Sequence, residues 1–313
     1  MDVQGRIHIN LQHLLEVRHY LDKIAIFNPP LQHSALLGIH RSRLRGRGMD
    51  FDQVRAYQTG DDARSIDWRV TARTGEVHTK VFHEERERPT YILVEQSLHL
   101  FFASTGCFKS VLAAQVAALF AWASLKNNDR VGGLVFDENN VQHIPPQRSR
   151  QSVLHLLQAI SEANQALQQP MVKQLNNPLP HALQQAQRLT RPGGLIILIC
   201  NERHLNEDTA QLLKRLAKHA ELILLPLSDP LEHALPELRQ SRFAMGVRSL
   251  NMRTENPELR HKWQAIGAHY QAVWQELALQ LNSPLLPLST QYPLLKQLQT
   301  FSTVPTPPAR NTS

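Results

Sequence analysis

Two cysteines, Cys107 and Cys200, in 313 residues exclude a disulfide framework. Cys200 ends an apolar stretch and reads as a small buried hydrophobe. Cys107 precedes a helical pattern, but no acid–base partner lies near it in sequence, so we expect an inert thiol. No apolar run reaches the roughly 18–20 residues needed to span a bilayer. The opening MDVQGRIHINLQHLLEVRHYL lacks the apolar core and small-residue cleavage site of a signal peptide, so a cytoplasmic location is expected. Several catalytic signatures are also missing. GCFKS at Gly106 to Ser110 lacks the GxxxxGKS/T spacing of a phosphate loop, no GxGxxG follows a strand, and HExxH, CxxC and GxSxG do not occur. The sixteen histidines, among them His8, His13, His19, His33 and His40, show no metal-ligand spacing.

What the chain does have is a dense charged stretch. Residues 41–88 hold ten arginines, one lysine and nine carboxylates, interleaved with Phe51, Tyr57, Ile66, Trp68, Val70, Val77, Val81 and Phe82. A disordered charge block lacks such apolar residues, and a helix face would show a 3.6-residue period that this stretch does not. The pattern implies a small folded module, divided by Gly46, Gly48, Gly60 and Gly75 into short strands and turns. Gly60-Asp61-Asp62 signals a turn, and Asp61 or Asp62 can cap a helical turn at Ala63–Trp68. Two roles stand open for Asp61, Asp62 and Asp67. They are either a carboxylate cluster for metal-assisted hydrolysis, or caps and partners for Arg55, Arg64 and Arg73. The formal charge is +7, which permits a polyanion partner. Only Arg41, Arg43, Arg45 and Arg47 are locally unbalanced, and they are the candidate phosphate contacts of a nucleic-acid binder.

The rest of the chain alternates strands and helices. A helical period over residues 8–26 ends at Asn28-Pro29-Pro30. Apolar strands are expected at Tyr91–Val94, Arg130–Phe136, Leu195–Ile199 and Leu222–Leu225, with a hairpin at Asn139-Asn140 leading into Val141–Ile144. Helices are expected at Lys109–Lys126, Ser149–Leu167, Pro180–Leu189, Asp208–His219 and Asn256–Leu281. A small hairpin follows within Phe243–Met252, and residues 285–301 add a short strand and a last helix. Continuous apolar strands separated by helices predict an α/β fold with a mostly parallel sheet and helices on both faces. The expected organisation is an N-terminal helix and linker (1–35), a β-rich Arg/Asp module (36–88), the α/β domain (89–301) and a disordered tail (302–313). In such sheets ligands bind beyond the carboxyl ends of the strands, which directs attention to Glu95, Ser97, His99 and Asn201.

The stretch GMDFDQVRAYQTGDDARSIDWRVTARTGEVHTKVFHEE is similar to the signature of domain-of-unknown-function family 58. Arg55, Tyr57, Gly60, Asp61, Asp62, Arg64, Asp67, Trp68 and Arg73 carry it, and DRVGGLVFDEN and SDPLEHALP extend the resemblance downstream. The resemblance implies a doubly wound von Willebrand factor A-like domain and partnership with a MoxR-type AAA+ ATPase and other A-domain proteins. It also implies a metal-ion-dependent adhesion site of pattern Asp-x-Ser-x-Ser, a distant Thr and a later Asp. The matching positions here are Glu95, Ser97, His99, Asn177 and Asn201, and only Ser97 conforms. Magnesium wants hard oxygen ligands, so the site is expected to be degenerate, with no cofactor and Mg2+ disfavoured. The resulting expectation is a non-enzymatic adaptor or scaffold. The alternatives are a metal-dependent hydrolase and a basic nucleic-acid-binding protein.

Overall fold

Alternation along the strands, with apolar side chains on both faces, builds the core. The computed structural model describes residues 7–24, 50–58, 61–83, 89–169, 176–239, 241–245 and 248–301. The Asn28-Pro29-Pro30 stop, the Arg41–Arg47 run, Gly46, Gly48, Gly60 and the tail from residue 302 lie outside these residues. In chain order come α1 (Leu11–Glu16), β1 (Asp50–Ala56), α2 (Trp68–Thr74), β2 (His78–His83), β3 (Pro89–Glu95), α3 (Lys109–Lys126), β4 (Arg130–Phe136), β5 (Val141–Gln147) and α4 (Arg150–Ala166). Then follow α5 (Leu179–Leu189), β6 (Gly194–Asn201), α6 (Glu207–Leu216), β7 (Ala220–Ser228), α7 (Pro230–His233), β8 (Ser241–Met245), β9 (Arg248–Met252), α8 (Pro257–Leu281), β10 (Leu288–Ser289) and α9 (Leu294–Phe301).

The chain divides into two compact units, Arg41–Glu87 and the remainder. The larger unit is mixed α/β. Its six-stranded sheet has the order β10-β7-β6-β3-β4-β5, parallel except where β5 returns antiparallel on β4. Ile92, Val94, Ile197, Ile199, Ile223 and Leu225 point to one face, against α3, α4 and the N-terminal helix. Tyr91, Leu93, Ile196, Leu198, Leu222 and Leu224 point to the other, against α5, α6 and α8. This period of two on both faces accounts for the unbroken apolar runs in the sequence. Burying each Leu or Ile side chain contributes roughly 1.5–3 kcal/mol.

Helix α3 is buried from Lys109 through Ser124, which suits its run of alanines and its place between the sheet and α4. The N-terminal segment is part of this core: Ile9, Leu14, Val17, Leu21 and Ile24 are all buried. It is shorter as an α-helix than its 8–26 period predicts. Asn10 caps it at Leu11, and from Val17 to Lys23 it tightens into a 3-10 turn. A chain of buried amides ties it to the sheet. Ile9 N donates to Asn164 Oδ1 (2.8 Å), Asn164 Nδ2 to Gln96 Oε1 (2.9 Å), and Gln96 Nε2 to the Ser110 carbonyl (3.0 Å). Strand β7 runs past the predicted Leu225 to Ser228, through Pro226, because Leu227 and Ser228 pair with the short edge strand β10.

The smaller unit is a two-stranded antiparallel ribbon, β1 with β2, and the helix α2 between them. The helical turn expected at Ala63–Trp68 is in fact two elements. Asp62 caps a 3-10 turn at Ala63–Ser65, Ile66 is extended and bridges Thr79, and Asp67 then caps α2 by accepting from the Arg69 and Val70 N–H groups. Gly75, at φ 78°, closes α2 in the left-handed region that glycine tolerates best.

Candidate functional site

Strand β3 is the branch point of the sheet. The connection to β4 leads to one side of it, and β6 and β7 lie on the other. Such a switch point opens a crevice beyond the strand ends, where α/β proteins place their ligands. Glu95 closes β3 there, and Asn201 closes β6. Glu95 is fully buried. Its Oε1 accepts from Ser97 Oγ and, at 2.9 Å, from His204 Nε2; its Oε2 accepts from the Asn201 backbone N–H at 2.8 Å. Burial pushes the Glu95 carboxyl up. The neighbouring His204, with the Ser97 and Asn201 hydrogen bonds, outweighs burial and holds it below the usual carboxylate range.

The other expected positions gather around this pair. His99 and His204 meet edge to face, with ring centroids 4.7 Å apart. His99 Nε2 is buried without a hydrogen-bond partner. Burial, then the adjacent His204, push the His99 imidazole below its ordinary value. Asn201 Nδ2 donates to the His99 carbonyl (3.1 Å), while its Oδ1 caps the 3-10 turn Glu202–His204 by accepting from Arg203 N–H. Asn177 Nδ2 donates to the His204 carbonyl (2.9 Å), and its Oδ1 accepts from Leu179 N–H at the start of α5. Glu95, Ser97, His99, Asn177 and Asn201 are therefore brought together, each engaged with other protein groups. Among the described residues, no group of three or more His, Cys, Asp or Glu side chains is arranged to hold a metal ion.

Sequence reasoning missed the residues that complete this end of the sheet. His204, three residues past β6, is the partner of Glu95. Asp229, just past β7, is fully buried. It accepts from Ser104 Oγ (2.6 Å), Ser104 N–H (2.7 Å), Thr290 Oγ1 (2.5 Å) and Leu231 N–H (2.9 Å). Burial raises its pKa, but the Ser104 and Thr290 hydrogen bonds prevail and hold it low. Lys109, also fully buried, opens α3 and reaches Glu232 Oε1 at 2.6 Å. A cation at a helix N-terminus opposes the helix dipole, so the Glu232 carboxylate is its necessary counter-charge. Arg203 lies over the rings of Trp263 and Tyr270 on α8 and donates to the Glu232 carbonyl (2.8 Å). His233 Nε2 lies 3.1 Å from Glu202 Oε2, and the nearness of this carboxylate raises the His233 pKa. The signal available in sequence was the capping pair Asp229 and Glu232 in SDPLEHALP.

In the smaller unit the carboxylates do not converge on a common point. Asp61 makes a two-pronged pair with Arg55 (2.7 and 2.8 Å) and accepts from Gln58 N–H. The Arg55 pair is the main cause holding its pKa low. Asp62 and Asp67 accept from backbone N–H groups as helix caps, the capping role expected of them. Tyr57 donates to the Asp61 carbonyl. Trp68, Arg64 and Arg73 are exposed.

An uncharacterised protein of Mycobacterium bovis and one of Mycobacterium tuberculosis are each 27% identical over 271 residues, covering 85% of this chain and 82% of theirs. The crystal structure of the conserved hypothetical protein BatB from Bacteroides thetaiotaomicron aligns with a TM-score of 0.44 and 15% identity, over 68% of this chain and 96% of that one. No described helix is long and apolar enough to cross a membrane. With a family model matched across residues 53–273, more than half of its length, the chain belongs to the family described as protein of unknown function DUF58.

Proposed function

We propose that this chain is a non-enzymatic interaction protein. It is an adaptor on a von Willebrand factor A-like, doubly wound domain whose metal-ion-dependent adhesion site is degenerate, and it works with a MoxR-type AAA+ ATPase on client proteins. The observation that carries this reading is the state of Glu95. Three protein donors occupy the lone pairs of a fully buried carboxylate at the switch point. An ionised carboxylate offers about four such positions, so little is left for a hard cation that needs six oxygen ligands. The sheet order and the helices on both faces support the A-like architecture. The ATPase partner follows from what the family resemblance implies. A hydrolase centred on Asp61, Asp62 and Asp67 needs converging carboxylates, and here each serves its own turn.

The test of the metal-free site is calorimetric titration of the full chain with magnesium and with manganese. No stoichiometric heat is expected. Tight binding at one site, lost in Glu95→Ala, overturns this part of the reading. Nucleic-acid binding through Arg41–Arg47 is tested by gel shift at low salt, where no shift is expected.

A further inference from the structure

Trp68 begins α2 with its side chain 69% exposed, although a large indole is normally spent on packing. Arg69, Ala72 and Arg73 are also exposed, and at 3.6 residues per turn they fall within an arc of about 140° from Trp68, with Ala72 nearest it and Arg69 and Arg73 stacked one turn apart. Arg64, in the capped turn just before, is also exposed. None of the three arginines has a carboxylate partner among the described residues. Asp61 is taken by Arg55, and Asp62 and Asp67 turn to backbone N–H groups. The hydrogen bonds that hold α2 run through Asp67, Thr71, Thr74 and Gly75, and among the described residues none is made by the side chains of Trp68, Arg69 or Arg73.

We infer that the Trp68 face of α2 is a contact surface for an acidic segment of a partner protein, one that offers an apolar side chain to the indole and flanking carboxylates to Arg64, Arg69 and Arg73. Tryptophan and arginine are the residues that most often dominate protein–protein binding energy. The guanidinium fork matches a carboxylate in two-pronged geometry, as Arg55 and Asp61 already do in this module. A single-stranded nucleic acid, which stacks bases on aromatic rings and places phosphates on arginines, is the competing occupant and an outcome of the test. The inference rests on the interaction-protein reading above but not on the identity of the ATPase.

The test uses the full chain. A phage library of random peptides is selected against it, and the enriched peptides are synthesised with fluorescein for anisotropy titrations. The expected peptides carry an apolar residue among Asp and Glu. Their binding weakens about tenfold or more in Trp68→Ala and in the Arg69→Glu/Arg73→Glu double variant. Both changes lie on an exposed face, and circular dichroism confirms that the variants are folded. Peptides without acidic residues, or peptides that bind the variants as well as the parent, overturn the inference. So does a labelled single-stranded oligonucleotide that binds with the same dependence on Trp68. Hydroxyl-radical footprinting of the free chain is expected to oxidise Trp68 strongly, and protection there means that the chain itself covers the face, which also overturns it. Co-purification with the ATPase separates the two readings. An ATPase held equally by the parent and Trp68→Ala, with no acidic peptides selected, sinks the surface and leaves the adaptor. Trp68-dependent acidic peptides without ATPase association do the reverse.

Discussion

His204 donates from Nε2 to Glu95 Oε1 at 2.9 Å, and both side chains are buried at the branch point of the sheet. Removing one member of a buried hydrogen-bonded pair leaves the other unsatisfied and typically costs about 1–3 kcal/mol. His204→Ala is therefore expected to lower stability by about that amount in urea unfolding at neutral pH. Glu95→Gln/His204→Ala is expected to lose less than the sum of the two single variants, with a coupling above about 1 kcal/mol. Additive losses would show that the pair is incidental.

Acid should weaken the fold through Glu95 and Asp229. Both carboxyls are held below their ordinary range. Their contribution is complete above the unfolded carboxylate value of about 4 and is lost as pH falls through the lower folded values. Thermal unfolding from neutral pH downward should show a steep loss, and Glu95→Gln should flatten it. An unchanged slope in that variant contradicts the assignment.

The histidines give opposite signs. His233 is raised by the Glu202 carboxylate 3.1 Å away, so its contribution is complete below about 6.5 and is lost as pH rises through its higher folded value. His99 is lowered by burial, so it costs stability as pH falls below about 6.5. His233→Gln should remove part of the loss on the alkaline side, and His99→Gln part of the loss between neutrality and pH 5 (about the lower end of histidine titration). Melting curves across this span check both.

Lys109 and Glu232 form a pair 2.6 Å long, with the lysine wholly buried. Lys109→Met alone leaves Glu232 with the Asp229 N–H and the longer Arg203 contact (3.9 Å) and is expected to cost about 1–3 kcal/mol. Lys109→Met/Glu232→Gln should recover much of that loss, because the buried mismatch is gone. Denaturant unfolding of the two variants decides it. A double variant no better than the single one contradicts the pairing argument.

Burial pushes the Cys107 thiol up to about 11, and Cys200 is fully buried. Reactivity belongs to the thiolate, so both should resist iodoacetamide at pH 8, about half a unit below an ordinary free thiol's pKa. Rapid alkylation of Cys107 in the folded chain, followed by mass spectrometry, would count against the inert role.

The sheet was legible because period-two burial on both faces leaves continuous apolar runs such as Leu195–Ile199, and these survive any detail of packing. Helix α3 was legible because it is buried all round and reads as one long alanine-rich apolar run. The break between the turn at Ala63 and α2 was not, because it depends on Asp67 capping a second time after Ile66 has turned extended. Glu95, Ser97, His99 and Asn201 were found by their place at strand ends. His204 was not, because its role arises only when the turn after β6 folds back over Glu95, a contact between residues 109 positions apart. Lys109 and Glu232 lie 123 positions apart and were hidden by the same kind of distance.

The most direct measurement of the adaptor role is co-purification of the full chain with a MoxR-type AAA+ ATPase from the same genome, by size-exclusion chromatography. It is run without nucleotide in EDTA, then with ATP and magnesium. Co-elution in EDTA is the expected result, because the switch-point site is proposed to work without a bridging metal. Absence of association in both conditions, or association without nucleotide that requires a divalent ion, contradicts the account.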